Sequence, residues 1–210
     1  MHLEQRKPTD IAVMASGKGS NLKVILDAAA RGECPVRVRV VISDRADAKA
    51  LEIARQAGVP DVRHISPADF ADRVSFDLAC ADVIEAAGCE WIVLAGYMRI
   101  LSSAFVQRFA ERIINIHPAL LPAFTGADGV GDALEYGVKI SGCTVHLVDE
   151  VLDGGPILAQ AAVPVHDDDT RESLHARIQV AEHRLYPETL KRMVEQGFHL
   201  DGRRVIWNRR

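Results

Sequence analysis

Short apolar, β-branched runs that alternate with helical patterns constrain the fold of this chain more than any other feature. Residues 11–15, 36–43, 62–65, 91–95, 112–117 and 143–148 have the length and composition of strands. Between them, residues 22–30, 48–57, 69–87 and 103–109 carry Ala, Leu and Ile at helical spacing, with Gly58 and Gly88 where helix C-termini fall. Such alternation predicts a parallel sheet wrapped by helices. The order changes late, because residues 143–148 and 156–165 read as two strands joined by a short acidic turn, which adds an antiparallel edge. A last helix starts at Asp169-Thr170-Arg171-Glu172, read as a capping acid with a glutamate three residues on. Leu174, Ile178, Ala181 and Leu185 form its docking stripe, and Pro187 predicts a kink or break near Tyr186. The expected fold class is therefore α/β, a single doubly wound, mostly parallel sheet flanked by helices with an antiparallel edge. At 210 residues one domain over 1–210 suffices, with 1–9 as a flexible N-terminal extension.

Composition excludes several functions. Twenty-five basic residues against 29 acidic ones give net −4 and no basic stripe, so no nucleic-acid partner is expected. Cys34, Cys80, Cys89 and Cys143 are scattered without a C-x-x-C pair or clustered histidines, which argues against a metal site and against a disulfide framework. No apolar run approaches the roughly 18 residues of a membrane span. A cytoplasmic protein is expected, as a monomer or homodimer.

The chemistry concentrates in two segments. In the strand that ends Asn115-Ile116-His117-Pro118, alternation puts Asn115 and His117 on one face and Ile114 and Ile116 on the other. Pro118 has no N–H for the ladder, so the strand stops where the two polar groups reach its carboxyl end. Open α/β sheets keep their active sites at that end. Acyl transfer needs an amide donor for a developing oxyanion and a titratable proton donor, and these two residues supply both. Asp153-Gly154-Gly155, downstream, would complete the set, since a carboxylate beside a histidine favours the imidazolium. The plain alternative is a strand-end histidine bonded to backbone and an aspartate serving a Gly-Gly turn.

The first βα turn reads Ser16-Gly17-Lys18-Gly19-Ser20-Asn21, where glycines allow close backbone approach and a helix N-terminus can take a phosphate. It is neither a dinucleotide fingerprint nor a P-loop. A tight turn with Ser20 or Asn21 as helix cap remains the alternative. Residues 119–131 read as a long loop, of the kind that forms lids or binding loops. No nucleophile elbow is present, so direct transfer between two bound substrates is more economical than a covalent acyl-enzyme. His64, His166, His175, His183 and His199 read as solvated, and His146 as a satisfied residue of an edge strand.

The chain resembles the phosphoribosylglycinamide formyltransferases of purine biosynthesis, which use 10-formyltetrahydrofolate. The resemblance covers nearly the whole chain. It is carried by residues 15–22, by Leu94-Ala95-Gly96-Tyr97-Met98-Arg99-Ile100-Leu101, by residues 115–122, by Gly142-Cys143-Thr144-Val145-His146 and by Leu152-Asp153-Gly154-Gly155. It implies a formyltransferase-like variant of the Rossmann fold in which Gly19, Ser20 and Asn21 hold the phosphate of glycinamide ribonucleotide and Glu182 contacts the same substrate. Met98, Arg99, Ile100 and Leu101 match the segment whose backbone holds the pterin, and Arg73 a residue that meets the folate. Asn115 matches the residue that binds the formyl oxygen, His117 the proton donor and Asp153 its supporting acid, with Thr144 and His146 in supporting positions. The implied reaction is attack of the glycinamide amine on the formyl carbon, with 10-formyltetrahydrofolate as co-substrate and no metal. Ala119 stands where the family usually has serine.

Three rival functions share features with this one. A formyltetrahydrofolate deformylase has the same Asn-His-Asp set with water as acceptor, and typically an N-terminal regulatory domain. A methionyl-tRNA formyltransferase adds a C-terminal barrel, for which the roughly seventeen residues after Met193 are too few. A nucleotide-binding regulatory module would use the glycine turn with Asp44 on a ribose, and leaves Asn115, His117 and Asp153 without a purpose.

Overall fold

The computed structural model describes residues 7–209. Seven strands, β1 (Thr9–Met14), β2 (Val36–Ser43), β3 (Asp61–His64), β4 (Trp91–Leu94), β5 (Ile113–His117), β6 (Ile140–Leu147) and β7 (Ile157–Pro164), form one sheet in the order β3-β2-β1-β4-β5-β6-β7. Pairs from β3 to β5 are parallel, and β5–β6 and β6–β7 are antiparallel. The doubly wound sheet with an antiparallel edge is thus as expected. Of the expected 1–9 extension, residues 1–6 lie outside the described residues and Thr9 already belongs to β1.

Alternation along the strands creates two cores. Ile11, Val13, Val93, Ile114 and Ile116 pack on one face with side chains of α1 (Ser20–Ala30), α2 (Lys49–Gln56) and α6 (Arg171–Gln196). Ala12, Met14, Ile92, Leu94 and Ile113 pack on the other with α3 (Arg73–Ala86) and α4 (Ser103–Arg108). Tyr186, fully buried in α6, donates its hydroxyl to the carbonyls of Leu94 (2.9 Å) and Ile114 (3.2 Å), which ties that helix to β4 and β5.

Several boundaries differ from expectation, each for a local reason. The cap of α6 is Thr170, whose side chain and that of Ser173 form the reciprocal box, while Asp169 pairs with Arg177 instead. Pro187 lies inside an unbroken α6. Buried Tyr186, Thr189 and Leu190 hold the helix on both sides of the proline, so packing outweighs the roughly 3 kcal/mol cost of the ring. Residues 67–69 form a separate 3-10 turn, and the Asp72–Ser75 capping box starts α3 only at Arg73. The loop after His117 ends early, because Asp128 caps a further helix, α5 (Gly129–Tyr136), by accepting from Gly131 N–H at 3.0 Å. Finally, β8 (Phe198–Asp201) and β9 (Arg204–Trp207) make a C-terminal hairpin turned at Gly202-Arg203, with Phe198 meeting Trp91 at a tilt and Trp207 edge-on.

Gly19 joins sheet and helices at the site end. Its φ is +70°, and a Cβ there would lie 2.7 Å from Ala50 Cα in α2. Gly19→Ala is expected to cost about 1–3 kcal/mol of stability, read from the denaturant midpoint.

Candidate active site

Register places Asn115 and His117. Ile114 and Ile116 turn into the first core, so their polar neighbours face the opposite side of the sheet. Antiparallel pairing sets His146 opposite Asn115 and Thr144 opposite His117, giving four polar side chains on one patch. Loops, not helices, supply the polar partners of this patch: the connection from β5 to α5 and that from β6 to β7.

Asp153 arrives from the second loop. Its Oδ2 lies 3.5 Å from His117 Nδ1 and accepts from Gly126 N–H at 2.8 Å, and its Oδ1 lies 3.8 Å from His146 Nε2. The backbone of Asp153 is left-handed, φ 51°, a conformation that Asp and Asn adopt more readily than other side-chain-bearing residues. At Gly155 a Cβ would lie 1.9 Å from the Leu147 carbonyl oxygen, which explains the glycine there.

The two histidines differ in their proton arrangement. His117, 4% exposed, directs Nε2 to the Phe124 carbonyl at 2.7 Å. A carbonyl can only accept, so Nε2 carries a proton, and with Asp153 at Nδ1 a doubly protonated ring finds an oxygen at each nitrogen. His146 donates from Nδ1 to the Leu147 carbonyl at 2.8 Å and faces Asn115 Nδ2 with Nε2 at 3.3 Å, the arrangement of a neutral ring that accepts from the amide. One N–H of Asn115 is thereby used, and the other can serve a developing oxyanion. His146 is no edge residue: β6 lies inside the sheet and the imidazole is 2% exposed.

At the switch point between β1 and β4, Ser16 N–H donates to the Gly96 carbonyl at 3.0 Å, and Met98 N–H to Ser16 Oγ at 2.9 Å. Gly19 itself is the N-cap residue of α1 and no side chain caps the helix, so Ser20 and Asn21 do not play that part. Ser20 Oγ accepts from Gln179 Nε2 at 3.1 Å, while Asn21 Nδ2 donates to Glu182 Oε2 at 3.0 Å. Asn21 and Glu182, far apart in sequence, therefore meet in a buried pair. Burial pushes the Glu182 carboxyl above its ordinary range, and the Asn21 hydrogen bond works the other way. Met98 and Ile100 stand 76% and 58% exposed on the β4–α4 loop, Arg99 stacks 5.0 Å over the Phe76 ring, Leu101 is buried and Arg73 is exposed in the first turn of α3.

A family model described as formyl transferase matches residues 9–190, which spans the whole sheet and both loops of the patch. The chain belongs to the formyl transferase family. It is 47% identical over 203 residues to the phosphoribosylglycinamide formyltransferase of Mycobacterium tuberculosis, covering 97% of this chain and 93% of that protein. It is 39% identical to a segment making up 20% of the human trifunctional purine biosynthetic protein adenosine-3, again over 97% of this chain. The crystal structure of glycinamide ribonucleotide transformylase 1 from Symbiobacterium toebii superposes with a TM-score of 0.95 at 48% identity, covering 100% of this chain and 99% of that one.

Other features of this formyl transferase had no signal in the sequence. Thr144 Oγ donates to the Ala119 carbonyl (2.7 Å) and accepts from Leu121 N–H and Gln160 Nε2 (3.0 Å each). Gln160 also donates to the Leu121 carbonyl at 2.9 Å, so β6 and β7 together fix the root of the loop that reaches His117 and Asp153. That network depends on the β6–β7 register, which a single strand pattern does not disclose. Among the described residues no group of three or more His, Cys, Asp or Glu side chains is placed to hold a metal ion, and no helix is long and apolar enough to cross a membrane.

Burial pushes His146 below its ordinary pKa of 6.5, and nearby His117 adds to this, against the upward pull of the Leu147 carbonyl and Asp153. The unfolded chain then takes up a proton near pH 6.5 that the folded protein refuses, so stability falls as pH drops through that value. His146→Gln is expected to show a shallower loss of stability between pH 6.5 and the lower folded-state pKa. Denaturation midpoints across a pH series measure the slope, and an unchanged slope would remove His146 from the acid response.

Proposed function

We propose that this formyl transferase moves the formyl group of 10-formyltetrahydrofolate to the amine of glycinamide ribonucleotide, with Asn115, His117 and Asp153 as its catalytic residues. The convergence of these three side chains carries the reading: an amide donor, an imidazole and a carboxylate, drawn from β5 and a distant loop, occupy one buried patch. The relatives named above support the acceptor. For the donor, exposed Met98 and Ile100 on one loop, with exposed Val151 and Leu152 beside Asp153 on another, offer apolar surface suited to a flat ring system.

The donor supplies an activated formyl carbon and leaves as tetrahydrofolate. Asn115, through its second N–H, holds the oxyanion that forms when the amine attacks, joined by His117 once its Nε2 exchanges the Phe124 carbonyl for substrate, a role worth most in a site shielded from water. The imidazolium of His117, kept company by Asp153, gives the proton that the departing nitrogen needs, directly or through water, and the proton lost by the attacking amine returns to the imidazole. Gly19, Ser20, Asn21 and Glu182 hold the ribonucleotide, its phosphate at the uncapped N-terminus of α1. The backbone of Met98 to Leu101 holds the pterin, and Arg73 meets an acidic part of the folate. Positioning two substrates in line supplies much of the rate. Four unpaired, buried cysteines suit a reducing compartment, in keeping with a cytoplasmic enzyme.

The test is tetrahydrofolate release from 10-formyltetrahydrofolate by the purified protein, with and without glycinamide ribonucleotide, with free formate assayed alongside. Release that requires the ribonucleotide and yields no formate is expected. Formate produced without the ribonucleotide would identify a deformylase, and no release in either arm would sink the transfer reading.

A further inference from the structure

The loop from Gly96 to Ser102 holds two apolar side chains, Met98 and Ile100, out in solvent. Left to itself such a segment would turn them inward to bury apolar area. Two buried polar side chains beneath the loop prevent this. Ser16, 3% exposed, accepts from Met98 N–H at 2.9 Å, and Asp77 of α3, 1% exposed, accepts from Ser102 N–H through Oδ2 at 2.6 Å. Ser102 is in turn the N-cap of α4, its hydroxyl accepting from Phe105 N–H at 3.4 Å, so Asp77 fixes the point where the loop becomes helix. A carboxylate there also lies at the positive end of the α4 dipole.

A buried carboxylate is costly unless its hydrogen bonds are worth the desolvation, and Asp77 Oδ1 has no hydrogen-bond partner among the described residues. A neutral side chain of the same size would pack here at lower cost. What the carboxylate adds here is the strength of a charge-assisted bond to one backbone N–H, which a neutral acceptor does not match.

We infer that Asp77 is a positioning residue for the donor: its buried carboxylate, with the Ser16 hydroxyl as the second pin, holds residues 98–102 so that Met98 and Ile100 and the backbone between them stay presented to the folate. This rests on the proposed donor reading. Asp77 touches neither substrate and acts through the loop alone. The consequence is selective, because loosening the loop weakens donor binding and leaves the Asn115, His117 and Asp153 patch, built on β5, β6 and their loops, in place.

The test compares Asp77→Asn, Asp77→Ala and Ser16→Ala with the parent enzyme, measuring KM for each substrate, kcat, and tetrahydrofolate binding by calorimetry. Asp77→Asn keeps the volume and a neutral acceptor for Ser102 N–H, so it tests the charge in a protein that folds even if the alanine variant does not. The expected result is a rise of about tenfold in donor KM and in tetrahydrofolate Kd for Asp77→Ala and about threefold for Asp77→Asn, the scale of one charge-assisted hydrogen bond. Ser16→Ala moves the same two quantities in the same direction. For the two Asp77 variants, KM for the ribonucleotide and kcat at saturating donor change less than twofold. Variants that lose thermal stability with unchanged donor KM and Kd, or that lose kcat and both KM values together, would overturn the inference. A parent enzyme that binds no tetrahydrofolate at all would instead overturn the donor reading on which it rests.

Discussion

Replacing His117 by alanine is expected to lower kcat by about 10³-fold or more, the upper range of a positioned proton donor, while tetrahydrofolate and ribonucleotide still bind. The imidazole lies between two oxygens, the Phe124 carbonyl at Nε2 and Asp153 at Nδ1, and is closed off from bulk solvent. Water therefore cannot readily take over its proton. Truncation also leaves the Phe124 carbonyl without its donor, which makes loop disorder a competing explanation for lost activity. His117→Gln separates the two. Its amide can still donate to Phe124 but cannot carry a transferable proton, so the expected loss is as large as for alanine. A glutamine variant with near-parent kcat would show that His117 serves only to order the loop.

The sheet was legible because each strand is a compact β-branched run and its helices carry their own punctuation. Asn115 and His117 were legible as a pair for the same reason, since period-two alternation next to Ile114 and Ile116 fixes their common face. What register decides was not legible. The positions of Thr144 opposite His117 and of Gln160 opposite Thr144 follow from antiparallel pairing across three strands. His146 was read as an edge residue because its own strand pattern does not show that β7 pairs outside β6. α5 escaped because Gly129-Val130-Gly131 has poor helix propensity, and its start depends on the Asp128 cap. The C-terminal hairpin escaped as well, because its short strands owe their place to aromatic contacts with Trp91. The meeting of Asn21 with Glu182 was legible only through family resemblance, because no spacing rule connects α1 to α6.

Asp153→Asn should lower kcat by about 10²-fold to 10³-fold with little change in either KM, and the conformation of its backbone makes the experiment clean. Asparagine tolerates φ near 51° as well as aspartate does, so the turn keeps its shape, and its Oδ1 can still accept from Gly126 N–H. Only the negative charge 3.5 Å from His117 Nδ1 is lost. Asp153→Ala removes the Gly126 acceptor as well and places a less tolerant residue at positive φ, so it should lose stability in addition. Full kcat in Asp153→Asn would leave Asp153 with a purely structural part, holding the loop through Gly126, and would leave His117 to work without a charged neighbour.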